Sequence, residues 1–144
     1  MRVYQGNESM LPEMYCVAKE RSVLMTRVYG MHEIELNPGV NEEDFENFFL
    51  NEMATAPFNP GMSLRLLKGD RGARAGKYLV LFDIDSRETR DRFSPAPNKS
   101  SQEADRFDEA HKDVWEPLFQ KWATFSPTDL GQHQNYTDYL VLDT

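Results

Sequence analysis

The chain has 144 residues, of which 40% are hydrophobic and 28% charged, and its formal net charge is −8. A domain of this length buries roughly two thirds of its unfolded surface, and this composition supplies enough apolar side chains for one core. The negative charge argues against nucleic acid or an anionic membrane surface as the main partner, and no apolar run approaches the roughly 20 residues of a membrane span. The single cysteine, Cys16, and the lack of metal-ligand spacing predict a reducing, cytoplasmic location and no bound metal.

The first predicted elements are an N-terminal arm and a strand. Residues 1–25 contain a short apolar stripe at helical spacing and form the arm, and residues 26–144 form one domain. From about Arg27 to Leu36 the side chains alternate between two faces, which predicts the first strand.

A helix is predicted after the first strand. Asn41, with Asp44 three residues on, matches an N-cap followed by negative charge near a helix N-terminus. Large apolar residues then recur at helical spacing and predict a face that packs on a sheet: Phe45, Phe48, Phe49 and Met53. Pro57 and Pro60 are expected to end this helix.

Two strands joined by a glycine-rich connection form a predicted hairpin. Ser63–Lys68 alternates, and residues 69–76 are a polar connection that leads into Lys77–Ile84. Both alternating faces of Lys77–Ile84 are apolar, which is typical of a strand that is covered on both sides. This strand is therefore predicted to lie at the centre of a sheet.

Two more helices are predicted after the central strand. Asp85 or Ser86 is the expected N-cap of a short helix that ends at Phe93. Ser100 with Glu103 matches a capping box, which would begin a longer second helix.

The longer helix carries one apolar stripe, which predicts the residues that face the sheet: Ala104, Phe107, His111, Val114, Leu118 and Trp122. Pro117 is expected to kink this helix or to restart it. The last predicted strand runs from Tyr136 to Leu142 and has apolar residues on both faces.

The elements follow the order β-α-β-β-α-β, which predicts an α+β fold of the ferredoxin-like type. Right-handed crossovers place both helices on one face of a four-stranded antiparallel sheet. The side chains that should then meet the helices are those of Tyr78, Val80, Phe82 and Ile84. Leu79 and Leu81 point to the other face, which needs an apolar cover, so a homodimer is predicted.

This order, together with the segment Met31–Val40 and the acidic helix start that follows it, resembles the dimeric α/β-barrel superfamily over residues 27–142. In that superfamily two ferredoxin-like subunits press their open sheet faces together. Its members include small monooxygenases, haem-degrading enzymes and lactone isomerases, so the fold alone does not select an activity. The resemblance implies a homodimer that binds a small apolar or aromatic molecule. It would act as a cofactor-independent monooxygenase or an isomerase, or as a non-catalytic ligand-binding or interaction dimer.

Two histidines are candidate catalytic residues. His32 would serve as acid, base or hydrogen-bond donor if it faces a cavity between sheet and helices, although a buried core histidine is the simpler interpretation. His111 lies on the second helix beside Asp108, where haem-binding relatives place an axial ligand. Haem is therefore the alternative to the expectation of no cofactor, and a structural histidine is again the simpler interpretation. His133 falls in a polar loop and is expected to be solvated.

Aromatic residues are candidates to line a pocket for a flat apolar ligand, or else to form plain core: Tyr29, Phe107, Trp115, Phe119 and Trp122. Arg65 is the predicted polar member of this pocket. Glu33 and Glu35 share one strand face and are expected to meet Arg65 in an ion-pair network. A general acid and base formed by the two carboxylates is the alternative.

The connection of the hairpin carries basic residues among its glycines: Lys68, Arg71, Arg74 and Lys77. The Walker spacing is absent, and the next element is a strand rather than a helix whose N-terminus would hold an anion. A solvated hairpin is therefore predicted, with an anionic ligand or an acidic partner surface as the alternative.

Overall fold

The computed structural model describes residues 25–131 and 135–142. The predicted N-terminal arm, apart from Met25, and His133 lie outside these residues. The described residues form, in chain order, β1 (Val28–Ile34), α1 (Glu42–Phe48), β2 (Met62–Lys68), β3 (Tyr78–Ile84), α2 (Arg87–Phe93), α3 (Gln102–Ala110), α4 (Lys112–Phe125) and β4 (Tyr136–Leu140). A π-helical turn, Phe49–Met53, extends α1.

The four described strands belong to one antiparallel sheet in the order β2-β3-β1-β4. β3 lies between β2 and β1, which confirms the central position predicted for it. β2 and β3 form the predicted hairpin, whose connection is closed by a hydrogen bond of 2.8 Å from the Gly69 N–H to the Lys77 carbonyl. The fold class is therefore α+β, with one open sheet and helices. None of the described helices is long and apolar enough to cross a bilayer.

One side of the sheet, the helix face, is covered by α1 with its π-helical turn and by α4. Alternate residues of a strand point to the same side, so Tyr78, Val80 and Ile84 share this face, and all three are buried as predicted. The covering helices contribute large apolar side chains: Phe45, Phe48, Phe49, Met53, Leu118 and Trp122. The Phe45 ring lies 5.1 Å from the ring of Tyr78 and 5.6 Å from that of Trp122.

The other side of the sheet, the open face, carries the intervening residues of the strands: Tyr29, Met31, Glu33, Ser63, Arg65, Leu67, Leu79, Leu81, Asp83, Thr137 and Tyr139. Leu81 is buried and Leu79 half-buried, whereas Leu67 and Tyr139 are exposed. This face is thus partly apolar, and charged residues lie among its apolar ones.

β4 is shorter and more exposed than its alternating sequence predicts. It ends at Leu140, although the Val141 N–H still donates to the Arg27 carbonyl at 2.9 Å. Both Tyr139 and Leu140 are exposed in the subunit, so the prediction that both faces of this strand are buried is wrong for the subunit. The reason is its position at an edge of the sheet, where it has a neighbour on one side only.

Three helices begin at residues whose side chains cap them. Asn41 and Ser86 are N-caps as predicted, and each accepts a hydrogen bond of 3.0 Å from the backbone N–H three residues on. The N-cap of α3 is Ser101 rather than the predicted Ser100. The Ser100 hydroxyl instead bonds to the Asp105 carboxylate. Two adjacent serines precede acidic residues here, so the capping-box pattern alone did not distinguish them.

The predicted long second helix consists of two helices, α3 and α4, that meet at His111. Pro117 lies inside α4 and not at the break. A proline ring conflicts with the carbonyl four residues before it, which belongs to Asp113 in the first turn of α4, so the helix restarts immediately before that turn. Val114, which the apolar stripe predicts to face the sheet, is exposed because the stripe crosses the break.

Candidate functional site

The described residues border an apolar cavity on the helix face of the sheet. Its volume is about 400 Å³, and Leu64 of β2 and Phe82 of β3 form its floor. Its walls come from α3, α4 and the segment between α1 and β2, and they contain Phe58, Asn59, Phe107, Asp108, Lys112, Trp115, Glu116 and Phe119. The end of the π-helical turn, at Met53, and the loop residues Leu130 and Gly131 complete the lining.

The segment Pro57–Met62 forms one wall of the cavity and is held in place by two hydrogen bonds. The indole N–H of Trp115 donates to the Pro57 carbonyl at 2.8 Å, which ties the segment to α4. The Asn59 carbonyl accepts a bond of 3.1 Å from the N–H three residues on, with proline second and glycine third in the turn. Gly61 has a φ of +86°, which a glycine adopts without strain. These two hydrogen bonds therefore fix the path of this wall between α4 and β2.

Aromatic rings line several sides of the cavity. The rings of Phe58 and Trp115 meet edge to face with 5.3 Å between their centroids. Trp115 also stacks on Phe119 at 5.3 Å. Such offset and edge-to-face contacts are the favoured arrangements of aromatic pairs. The walls therefore offer flat apolar surfaces to a bound molecule.

Three charged side chains lie at the cavity, and none of them forms an ion pair with another described residue: Asp108, Lys112 and Glu116. Asp108 is exposed to solvent, but partial desolvation by its neighbours raises the pKa of its carboxyl, the charge of Asp105 raises it further, and His111 opposes both effects. Asp108 is thus the lining group best suited to exchange a proton with a ligand.

One uncharged polar group also lines the cavity. The side-chain oxygen of Asn59 is buried and accepts no hydrogen bond from the residues that the structure describes. Within the same residues no group of three or more His, Cys, Asp or Glu side chains is placed to hold a metal ion.

Of the predicted pocket residues, Phe107, Trp115 and Phe119 line the cavity. Trp122 is instead buried in the core, where its indole N–H donates to the Thr128 carbonyl at 2.7 Å. Tyr29 and Arg65 lie on the open face, which separates them from the cavity by the thickness of the sheet. Strand alternation explains this, because the neighbours of each point to the helix face.

The two candidate catalytic histidines do not line the cavity. His32 is buried on the helix face, and its ring lies 5.5 Å from the ring of Tyr136. His111 lies between α3 and α4, with its ring 4.1 Å from that of Phe107. A carbonyl oxygen only accepts, so the His111 Nδ1–H donates to the Phe107 carbonyl, at 2.8 Å. The imidazole thereby binds a carbonyl at the end of α3.

The predicted ion-pair network around Arg65 has different members. Glu33 pairs with Arg74 of the hairpin connection at 3.2 Å, and Arg65 lies 3.8 Å from Asp83. The pairing of Glu33 or Glu35 with Arg65 is wrong because β3 lies between β1 and β2 in the sheet.

Basic residues of the hairpin connection bind the protein itself. Lys68 forms an ion pair with Glu42 at 3.0 Å, and the Arg74 guanidinium donates to the Tyr78 carbonyl at 2.9 Å. These two cations are thus engaged within the chain, and the other two, Arg71 and Lys77, are exposed.

Sequence interpretation missed two parts of the cavity. The first is the wall Pro57–Met62, whose prolines were interpreted only as the end of a helix. Phe58 between them was the available signal, because a large apolar side chain in a rigid turn needs a cover. The second is the set of charged lining residues. Lys112 and Glu116 lie four residues apart, which places them on one side of α4, whereas Asp108 lies in α3, before the break at His111.

No family model, no curated protein and no solved structure matches this chain. The resemblance to the dimeric α/β-barrel superfamily therefore stays a prediction, based on the order of the elements and on the segment Met31–Val40.

Proposed function

We propose that this protein binds a small, flat and largely apolar molecule in the cavity between α4 and the sheet. The observation that supports the proposal is the cavity itself, a space of about 400 Å³ bordered by the rings of Phe58, Trp115 and Phe119. Ligand sites typically measure roughly 300–1,000 Å³ and combine apolar walls with a small number of polar groups. Here Asn59 and three charged side chains supply those groups.

An enzyme, such as a monooxygenase or an isomerase, would need a polar group in contact with the bound molecule. Neither His32 nor His111 lines the cavity, whereas Asp108 does. Binding is therefore the function that the geometry supports best. Catalysis on the bound molecule would proceed through Asp108, because a carboxyl with a raised pKa is a better general base.

The fluorescence of N-phenylnaphthylamine, a neutral probe that brightens in apolar surroundings, tests the proposal. We expect saturable binding to the full chain with one site per subunit. Phe119→Asp should weaken this binding by roughly tenfold or more, because it places a carboxylate in an apolar site.

Val114→Asp is the matched control for this experiment. Phe119 and Val114 both lie on α4, with exposed fractions of 48% and 43%, and of the two only Phe119 lines the cavity. Neither substitution opens a void in the core, so both variants should fold. An absence of binding, or an equal loss in the two variants, would contradict the proposal.

We further propose that the subunit is ferredoxin-like and dimerises through its open face. The order β2-β3-β1-β4, with antiparallel neighbours throughout, supports this fold. Exposed Leu67 and Tyr139 give the open face apolar contact area. Asp83, which pairs with Arg27, and Arg65 add charges of both signs, so two copies of the face complement each other about a twofold axis.

Light scattering at micromolar concentration tests the dimer and should give twice the monomer mass of 16.7 kDa. Leu67→Glu should shift the mass toward the monomer, because it places a charge on the apolar part of the open face. Leu50→Glu is the control, since Leu50 lies in the π-helical turn on the other side of the sheet and is 54% exposed against 42% for Leu67. A monomer mass for the unmodified chain would exclude the dimer.

A further inference from the structure

We infer that the molecule bound in the cavity carries a positive charge, and that its class is a small aromatic or alkyl ammonium cation. The inference rests on the proposed function, since it specifies the charge of the ligand that the cavity takes. Two independent features of the lining support it, its aromatic rings and its unpaired carboxylates.

The first feature is a set of aromatic rings that no cation of the described chain occupies. Five such rings line the cavity: Phe58, Phe82, Phe107, Trp115 and Phe119. The face of an aromatic ring is negative and attracts a cation, most strongly for tryptophan.

Elsewhere in the described residues the protein supplies its own cations to such rings. Lys68 lies 5.3 Å from the centre of the Tyr78 ring, and Lys121 lies 5.2 Å from the centre of the Phe48 ring. No lysine or arginine of the described residues lies over the five lining rings in this way. A ligand cation would fill that role.

The second feature is the charge at the cavity. Asp108 and Glu116 contribute two carboxylates against the single ammonium of Lys112, and these groups form no ion pair with the described residues. Partial desolvation and the nearby charge of Asp105 both disfavour the negative charge of Asp108 and raise its pKa. A bound cation would compensate this charge, and the net charge of −8 would attract such a ligand over a distance.

Other classes of ligand fit these features less well. An anion would be repelled by the two carboxylates and by the field of the whole chain. A neutral apolar molecule would cover the rings and would leave the carboxylates partly desolvated without an opposite charge, which costs free energy. Of these three classes of ligand, only a cation is attracted both by the faces of the aromatic rings and by the carboxylates.

Two ligands of the same shape, one charged and one neutral, separate the effect of charge on the affinity from the effect of size. We would titrate the full chain calorimetrically with meta-hydroxyphenyltrimethylammonium and with meta-tert-butylphenol, in which carbon replaces the charged nitrogen. The cation should bind roughly five- to thirtyfold more tightly, the range expected when a desolvated cation–π contact adds to carboxylate attraction. Equal affinities, or tighter binding of the phenol, would overturn the inference and leave the proposed function intact. Failure of both ligands and of N-phenylnaphthylamine to bind would overturn the proposed function itself.

Isosteric variants of the two carboxylates test whether the preference for the cation arises at the cavity. Asp108→Asn and Glu116→Gln should each reduce the affinity for the cation by roughly threefold or more and leave that for the phenol unchanged, because each removes one charge and keeps its shape. Glu109→Gln is the matched control, because Glu109 is an exposed neighbour of Asp108 that does not line the cavity. Lys112→Gln should raise the affinity for the cation, because it removes the positive charge at the cavity. A preference for the cation that is undiminished in both carboxylate variants would show that the cation binds elsewhere and would overturn the inference.

Discussion

The two faces of the sheet are built from alternate residues of the same strands, yet they differ in what covers them. On the helix face Tyr78 and Val80 are buried by the chain's own helices. On the open face Leu67 and Tyr139 remain exposed, and the charged Asp83 lies between Tyr29 and Ser63 of the neighbouring strands. Strand alternation thus sets the direction of a side chain, and the position of the helices sets its burial.

This difference assigns a separate role to each face. The helix face holds the core and also the cavity, where α4 and the wall Pro57–Met62 leave a space over Leu64 and Phe82. The open face holds mixed apolar and charged groups of the kind that suit an interface between subunits. The proposed ligand binding and the proposed association would therefore respond to different substitutions. Leu67→Glu, which is expected to prevent that association, supplies a background in which the open face is free.

Truncation of a large side chain should give the largest difference between the two faces in the free energy of unfolding. Phe45→Ala should lower the free energy of unfolding by about 3–5 kcal/mol, because the buried ring contacts Tyr78 and Trp122. Tyr139→Ala in the Leu67→Glu background should cost less than about 1 kcal/mol, because the side chain is largely exposed. Urea unfolding followed by circular dichroism measures both. Equal costs would contradict the assignment of the core to one face.

Gly30 tests how closely the helix face is packed beside β4. A β-carbon at Gly30 would lie 2.2 Å from the Tyr136 hydroxyl oxygen, so Gly30→Ala forces that side chain to move. The cost should be about 1–3 kcal/mol of unfolding free energy. Tyr136→Leu removes the obstacle, and the double variant should show a coupling of about 1 kcal/mol in urea unfolding. Strictly additive costs would show that the two residues do not interfere.

The strands and the first helix could be predicted because their signals are local. Tyr78–Ile84 is apolar on both of its alternating faces, and that pattern alone placed it at the sheet centre. Asn41 and Ser86 were identifiable as N-caps because a side-chain oxygen must lie three residues before the N–H that it accepts.

The cavity and the ion pairs could not be predicted in the same way, because they depend on which elements become neighbours. Arg65 meets Asp83 rather than Glu33 because β3 separates β1 from β2. Trp115 and Trp122 lie about two helical turns apart on α4, yet one lines the cavity and the other fills the core. Spacing on a helix gives the side of the helix, and the segments that pack against that side decide whether it is filled or left open.

A smaller effect, with a pH signature, is expected from Tyr78 on the helix face. Burial and the hydrogen bond to the Glu46 carboxylate raise the pKa of Tyr78 to about 12 from an ordinary value of 10.0. A raised pKa in the folded state means that stabilisation is complete below about pH 10 and is lost as the pH rises toward 12. Tyr78→Phe should cost about 1 kcal/mol at neutral pH.

The same variant should also show a shallower alkaline decline in the free energy of unfolding. The decline should not vanish, because burial raises the pKa of Tyr136 to about 12 as well. Tyr139→Phe on the open face is the control and should alter neither the free energy of unfolding at neutral pH nor its alkaline decline, since the Tyr139 side chain is exposed. If the free energy of unfolding declined as steeply at alkaline pH in Tyr78→Phe as in the unmodified chain, the assignment of this decline to Tyr78 would be contradicted.

The smallest effect is expected from Asp83 on the open face, where solvent screens the charges. Its carboxylate bonds to Arg27 and lies 3.8 Å from Arg65, and both arginines are exposed. In the Leu67→Glu background Asp83→Asn should lower the free energy of unfolding by about 0.5–1 kcal/mol, and the loss should disappear near 1 M salt, where the Debye length is about 3 Å. In the unmodified chain a second copy would shield these charges, so the same loss should persist in salt. A loss that salt removes equally in both backgrounds would mean that nothing covers the open face.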